Sequence, residues 1–159
     1  MNIFASSPDP EQCASFLDDK RLVKMVLETA QLLSTAINVC GSGIGPYKTT
    51  HVNHPCSIWT RESVRNYTWL VWHFEALCEE YTKRYKKVHK CQQHLRAFVN
   101  GANLMPIKDS TPFPNCTIFK QCADTHQAYR DYLEYKWKND KRTPKWSGYT
   151  KEQIKCLGL

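Results

Sequence analysis

The chain has 159 residues, 42% of them hydrophobic and 12% aromatic, which is enough to bury one core. Six glycines and the absence of low-complexity segments exclude a fibrous or intrinsically disordered chain. No run approaches the roughly 18 apolar residues of a membrane-spanning helix. Lys and Arg number 22 against 15 Asp and Glu, and the net charge of +7 favours a polyanionic partner such as nucleic acid. The alternative is that this charge serves solubility alone.

The chain contains eight cysteines, which could be free thiols, disulfides or metal ligands. The N-terminal sequence MNIFASSPDPEQ has neither the basic nor the apolar region of a signal peptide, so we expect a cytoplasmic protein with reduced thiols and no membrane partner. No Cys-x-x-Cys pair occurs. The nearest approximations to a zinc site, Cys91 with His94 or Cys116 with Cys122 and His126, match no four-ligand spacing. We therefore expect no bound metal and no cofactor.

Hydrophobic periodicity predicts an all-α protein, a compact single-domain bundle of four to five helices over residues 1–159. In chain order, helices are predicted at residues 10–17, 20–39, 57–85, 89–99 and 122–137, with a short one after Thr150. Two long ordered loops are predicted at residues 47–56 and 101–119, because neither shows a helical or strand period. We expect Phe113, Ile118 and Phe119 to pack the second loop.

The second predicted helix carries a polar face. Its members recur at steps of four, four, three and four: Lys20, Lys24, Glu28, Gln31 and Thr35. A catalytic face needs such convergence of acid and amine, and Asp19 lies just before it. The alternative is a solvated face in which Lys24 and Glu28 form an ordinary ion pair.

The segment THVNHP places His51, Asn53 and His54 in a loop just before a predicted helix. Imidazole can donate to a developing oxyanion or a phosphate, and Asn can read a base edge through two hydrogen bonds. A metal held by His51 and His54 is a second interpretation. The third is a loop pinned by bonds between its side chains and its backbone.

Basic residues cluster twice, with aromatic residues interleaved. The first cluster contains Lys83, Arg84, Lys86, Lys87 and Lys90, and the second contains Lys136, Lys138, Lys141, Arg142 and Lys145. Positive charge with flat rings is typical of proteins that bind unstacked or flipped bases. The predicted DNA contacts are Arg84, Lys86, Lys87, Lys90, Lys145 and Trp146. A solvated basic face is the alternative.

A family resemblance covers about residues 1–100. Five segments resemble, in order, phage and bacterial proteins grouped with the endonuclease-V-type pyrimidine-dimer DNA glycosylases: MNIF, LDDKRLVKMVLETAQLL, YKTTHVNHPCSIWTRES, NYTWL and LCEEYTKRYKKVHK. The resemblance implies an all-helical DNA glycosylase that uses an N-terminal α-amine with an arginine and a glutamate early in the first long helix. Arg21 matches that arginine, Leu22 stands where the glutamate is expected, and Asn2 is a bulky neighbour that disfavours removal of Met1.

Together these features predict a monomeric DNA N-glycosylase that flips a modified or damaged pyrimidine out of double-stranded DNA and leaves an abasic site. Related defence enzymes that remove glucosylated hydroxymethylcytosine make that base a candidate. The predicted chemistry is monofunctional, with Asp19 or Glu28 activating water and Lys24, His51 and His54 assisting. The predicted substrate contacts are Lys20, Gln31, Asn53, Trp59, Asn66 and Trp69. The rival functions are a non-catalytic DNA-binding protein and a metal-dependent nuclease that uses His51 and His54.

Overall fold

The computed structural model describes residues 1–41 and 43–159, and within them the chain forms α-helices and no strand. The all-α prediction is confirmed. Seven α-helices occur in this described part: α1 (Pro10–Phe16), α2 (Asp19–Cys40), α3 (Pro55–Glu62), α4 (Val64–Tyr85), α5 (Leu95–Gly101), α6 (Thr125–Asn139) and α7 (Lys151–Cys156). Two 3₁₀ turns, Lys90–His94 and Ala102–Leu104, flank α5.

The helix count exceeds the predicted four to five because short helices interrupt the longer periods. Ser63 separates α3 from α4, since its backbone is extended (φ −150°, ψ 153°). The Ser63 hydroxyl accepts the Asn66 N–H and caps α4, while the Val64 N–H donates to the Pro106 carbonyl at 2.8 Å. Helices α1, α3, α5 and α7 are only six to eight residues long. Of these, α1 and α7 lie where the sequence predicts short helices, and α5 begins later than the predicted residue 89.

Helices α2 and α4, of 22 residues each, pack against each other and carry much of the core. Leu22 and Leu33 on α2 and Leu70 and Phe74 on α4 are fully buried, as their spacing predicts. Helix α1 packs on α4, and α3 packs on both long helices. None of the helices within the described ranges is long and apolar enough to cross a membrane.

The irregular loop predicted at residues 101–119 begins later than expected, because α5 and a 3₁₀ turn extend to Leu104. Phe113 packs against the core, as predicted. Ile118 is 56% exposed, so the prediction that it packs the loop is wrong.

The N-terminal segment, residues 2–7, is buried although it has no regular structure. The Phe4 ring lies edge-on to the ring of Tyr129 on α6, with 6.3 Å between centroids. Arg130 of α6 donates from Nε to a carbonyl of the segment at 2.8 Å. Helix α6 therefore holds this segment in place, and the segment in turn carries Met1 to a fixed position beside α2.

Candidate active site

A cavity of about 350 Å³ lies where the N-terminal segment meets α2 and α6, and we call it the Glu28 cavity. Helix α2 supplies Lys20, Arg21, Lys24, Met25 and Glu28. The N-terminal segment contributes Met1, Asn2 and Phe4, and the opposite wall consists of Tyr132, Lys136 and Asp140. Three members of the predicted polar face thus line one cavity. The sequence pattern did not identify the opposite wall, because more than 100 residues separate Glu28 from Tyr132 and no local period links them.

Glu28 is 9% exposed and is held between two amines. Its Oε2 accepts the Asn2 N–H at 3.1 Å and lies 3.7 Å from the Met1 amine. Its Oε1 lies 3.0 Å from Lys24 Nζ. The Met1 side chain is 3% exposed and the Lys24 side chain 73%. The cavity therefore places a mostly buried carboxylate between the N-terminal amine and a solvated lysine.

Arg21 lines the Glu28 cavity and forms two ion pairs. Its two terminal nitrogens donate to Asp18 Oδ1 and Asp140 Oδ2, both at 2.9 Å. The hydrogen bond from Lys20 and the neighbouring Arg21 guanidinium hold the pKa of the Asp140 carboxyl below its usual range. Leu22, which stands where the resemblance places a glutamate, is fully buried in the core. The carboxylate beside the amine comes instead from Glu28, nearly two helical turns further along α2.

The THVNHP loop lies against the same part of α2. The Thr35 hydroxyl of the polar face accepts the Thr50 N–H at 3.1 Å. The Thr50 hydroxyl lies 2.7 Å from His51 Nδ1, and His51 adopts a left-handed backbone (φ 48°). Burial, together with the charges of the N-terminal ammonium and His51, lowers the pKa of His54, while the Glu28 carboxylate opposes this shift. The loop and the Glu28 cavity are therefore electrostatic neighbours.

The three candidate residues of this loop differ in how far their side chains are exposed to solvent. His51 and Asn53 are exposed, whereas His54 is half-buried and caps α3, where its Nδ1 accepts the Cys56 N–H at 3.2 Å. Only His51 and Asn53 are thus presented to a ligand on the outside of the loop.

A cluster of His54, Cys56 and Cys116 lies behind the loop, with one ligand atom of each within 4.8 Å of the others. Cys56 Sγ donates to Cys116 Sγ at 3.6 Å. This bond, helped by the Tyr129 hydroxyl and the Lys120 charge, lowers the pKa of the Cys116 thiol to about 6, while burial opposes the shift. Sequence reasoning missed the cluster because 60 residues separate the two cysteines.

A second cavity of about 920 Å³ adjoins the first and shares Lys20 and Asp140 with it. We call it the basic groove, since four basic side chains line it against three aspartates: Lys20, Lys141, Arg142 and Lys145 against Asp18, Asp19 and Asp140. Tyr85 also lines it. Lys145, a predicted DNA contact, thus lies next to the Glu28 cavity.

The side chains of Asp19 and Arg84 take part in one hydrogen-bond network. The Asp19 carboxylate accepts the Ser147 hydroxyl at 2.6 Å and Arg84 Nη1 at 3.1 Å, and it lies outside the Glu28 cavity. The Arg84 side chain is fully buried and also donates to Glu80 and to the carbonyls of Leu17 and Ser15. A guanidinium with these partners is not available to a DNA phosphate in this conformation.

Four other predicted ligand contacts are packed into the protein. Trp59 and Asn66 are buried, and both bond to Thr111, Trp59 through Nε1 at 3.1 Å. Half-buried Trp69 donates to the Pro8 carbonyl and stacks on His73. Half-buried Trp146 donates to the Phe16 carbonyl and packs edge-on against Trp137. Trp59 and Asn66 are thus not accessible to a base in this conformation, whereas Trp69 and Trp146 keep part of their surface exposed.

The remaining predicted contacts lie at the surface. Lys86, Lys87 and Lys90 are exposed around the C-terminal end of α4. Gln31 is half-buried on α2, next along the polar face after Glu28, and does not line the cavity.

The family model described as pyrimidine dimer DNA glycosylase matches residues 1–93 of the chain. The matched stretch contains the N-terminal segment, α2 with Glu28, the THVNHP loop and all of α4. Comparison with curated proteins and with solved structures returned no match.

Proposed function

The chain belongs to the pyrimidine dimer DNA glycosylase family, and we propose that it excises a modified or damaged pyrimidine, flipped out of double-stranded DNA, at the Glu28 cavity. One observation carries this proposal. The Glu28 carboxylate faces the Met1 amine at 3.7 Å inside a cavity bounded by four basic side chains, Lys20, Arg21, Lys24 and Lys136. An amine, a carboxylate and phosphate-binding cations are the groups that removal of a base from DNA requires.

We assign the nucleophile to the Met1 α-amine in a mature protein that begins at Met1. The sequence favours water activated by a carboxylate, but the position of this amine beside Glu28 favours direct attack. Lys24 is the competing amine, and a lysine becomes nucleophilic when it is desolvated. Because its side chain is 73% exposed, a phosphate contact fits it better. Glu28 accepts the proton that the attacking ammonium loses.

The proposed step balances without a cofactor. The lone pair of the neutral amine forms a bond to C1′ of the deoxyribose, and the glycosidic C1′–N bond breaks. Its electron pair leaves with the pyrimidine, which takes up one proton. Opening of the sugar ring then gives a C1′=N Schiff base that water hydrolyses to an abasic site. The proton that Glu28 has accepted is then available to the departing pyrimidine.

We assign the contacts to the rest of the substrate from the side chains that are exposed to solvent near the cavity. Lys20, Lys24 and the adjoining basic groove provide positive charge for phosphates on one side of the cavity. His51 and Asn53 form the exposed part of the THVNHP loop, and we assign them to the departing base. His54 caps α3, so we give it a positioning role in that loop.

The proposed base is a pyrimidine that carries a bulky addition, with glucosylated hydroxymethylcytosine as the first candidate. In support, the basic groove of about 920 Å³ opens beside the smaller cavity and is lined by many hydrogen-bonding side chains. A sugar substituent could enter this groove while its base occupies the Glu28 cavity. Pyrimidine dimers, which the family description names, are the second candidate.

The test uses four duplexes of one sequence, with normal cytosine, hydroxymethylcytosine, glucosylated hydroxymethylcytosine or a pyrimidine dimer at one site. Abasic sites are measured by alkaline cleavage, with and without EDTA. We expect excision from one or both of the last two duplexes. Glu28→Gln should lower the rate by about 10²-fold or more while DNA affinity stays nearly unchanged. The matched control Glu79→Gln, an exposed glutamate on α4, should retain the rate.

Borohydride reduction during the same reactions tests the nucleophile. A covalent protein–DNA adduct should form and map by peptide mass spectrometry to Met1, and Lys24→Ala should retain it. An adduct on Lys24 would refute the Met1 assignment, and excision without any adduct would restore water as nucleophile. If no duplex gains abasic sites, the glycosylase proposal fails. Strand cleavage that EDTA abolishes would identify the metal-dependent nuclease instead.

A further inference from the structure

The His54, Cys56 and Cys116 cluster is not used by the proposed excision. Cys56 is fully buried, and His54 and Cys116 are half-buried, so the cluster is sheltered but reachable from solvent. It joins the start of α3, at the end of the THVNHP loop, to the irregular segment before α6. Two thiols and an imidazole form a ligand set for soft or borderline metals.

The sulfur–sulfur distance fits a tetrahedral zinc ion. With Zn–S bonds of about 2.3 Å, tetrahedral geometry places two sulfur ligands about 3.8 Å apart. The Cys56 and Cys116 sulfurs are 3.6 Å apart, and one His54 ring nitrogen lies within 4.8 Å of both. By contrast, a disulfide would require about 2.05 Å between the sulfurs. The fold therefore holds the sulfurs near the spacing that zinc needs without a covalent bond between them.

The imidazole is in the form that zinc binds. Its Nδ1 accepts the Cys56 N–H at 3.2 Å, so this nitrogen carries a lone pair directed at the cysteine. A zinc ion can take that lone pair in exchange for one weak capping bond. Two thiolates and a neutral imidazole also balance the charge of Zn²⁺, which avoids a net charge in a partly buried place.

We propose that His54, Cys56 and Cys116 bind one Zn²⁺ ion, with the fourth position open to water. This replaces the sequence-based expectation of no metal, which considered local ligand spacing only. The ion ties the THVNHP loop to the segment that precedes α6 and fixes His54 beside the Glu28 cavity. The role that we propose for the ion is to hold the loop in place. The proposal does not depend on the excision chemistry.

The test is metal content, measured by elemental analysis after purification with a thiol reductant and without chelators. We expect one zinc per chain in the wild-type protein and at least a tenfold lower content in Cys116→Ser. Cys122→Ser is the matched control, because Cys122 is also half-buried and lies six residues away but outside the cluster. It should retain one zinc per chain.

The absorption spectrum of bound Co²⁺ tests the site in the wild-type protein, so it does not require any variant to fold. Wild-type protein loaded with Co²⁺ should show the visible bands of a tetrahedral ion and a thiolate-to-cobalt charge-transfer band in the near ultraviolet. His54→Ala should change the visible bands and keep part of the charge-transfer band. Wild-type protein that contains no zinc and gives no cobalt spectrum would overturn the proposal. A Cys56–Cys116 disulfide in the reduced preparation, or loss of zinc in Cys122→Ser, would also overturn it.

Discussion

At the scale of single residues, α2 carries two carboxylates whose surroundings give them different tasks. Asp19 is surrounded by fixed donors, the Ser147 hydroxyl and the Arg84 guanidinium, and it anchors the C-terminal tail to α2. Glu28 faces amines inside a cavity instead. Asp19 lies outside the Glu28 cavity, whereas Glu28 lines it beside the Met1 amine. This is why only Glu28 is assigned to the chemistry.

Removal of Arg84 should cost stability. Its buried guanidinium pairs with Glu80 at 2.7 Å and Asp19 at 3.1 Å and also bonds to two carbonyls. Arg84→Met leaves both carboxylates without their buried cation, and such changes typically cost about 3–5 kcal/mol. We expect the free energy of unfolding, measured by urea denaturation, to fall by about that amount.

The control for Arg84→Met is Lys87→Met, an equal loss of charge at an exposed position two residues past the end of α4. It should change the free energy of unfolding by about 0.5 kcal/mol or less. If the two variants unfold at the same urea concentration, Arg84 is not a structural residue and its predicted role as a DNA contact should be tested again.

At the scale of elements, His73 connects α4 to α1 and is fully buried. Its Nδ1 lies 3.1 Å from the Pro10 carbonyl, and within the described residues its Nε2 has no hydrogen-bond partner. Burial lowers the pKa of His73 to about 4 from an ordinary value of 6.5. The neutral ring is therefore the form that fits between these helices.

Protonation of His73 should make the protein less stable in weak acid. The unfolded chain binds a proton at this histidine below about pH 6.5, whereas the folded chain does so only near pH 4. The contribution of neutral His73 to the free energy of unfolding is thus fully present above pH 6.5. It is lost as the pH falls towards 4, and the loss is about 3 kcal/mol at most. His73→Phe keeps a ring of similar size and should show a smaller loss between these pH values in urea denaturation. Equal losses in both proteins would refute this.

The sequence predicted best those helices in which the hydrophobic pattern repeats over many turns. Helix α2 was expected at residues 20–39 and occurs at Asp19–Cys40, because its apolar positions repeat over many turns. The break at Ser63 was missed, since it depends on a bond between Val64 and the distant Pro106. The polar face of α2 was identified because helical spacing places its members together. Its partners Met1, Tyr132 and Asp140 come from other elements, and only tertiary packing brings them to the cavity.

At the scale of the whole molecule, positive charge continues from the cavity towards the end of α4. The basic groove, with Lys141, Arg142 and Lys145, adjoins the Glu28 cavity and includes Tyr85, the last residue of α4. Lys86 follows directly in a left-handed conformation (φ 55°), and Lys86 and Lys87 are both exposed. This arrangement suits a duplex whose phosphates run from the groove past the end of the helix.

Charge reversal at both lysines, Lys86→Glu with Lys87→Glu, should therefore weaken binding to every DNA sequence. Each phosphate contact that is lost should reduce the slope of log affinity against log salt by about 0.9. Fluorescence anisotropy with an unmodified duplex at several salt concentrations measures this slope. We expect the slope to fall by the amount that corresponds to one or two lost phosphate contacts. The rate of excision at saturating enzyme should stay within a few-fold of the wild-type rate.

A control with the same change in net charge separates local contact from the long-range field. Arg65→Glu with Lys108→Glu reverses two exposed charges at the opposite end of α4, about 30 Å from Lys86 along a 22-residue helix. At moderate salt, a charge this far from the duplex is largely screened, since the Debye length is about 8–10 Å. The control should thus retain most of the slope. If both double variants reduce the slope equally, or neither does, the lysines after α4 are a solvated face and the DNA path must lie elsewhere on the basic surface.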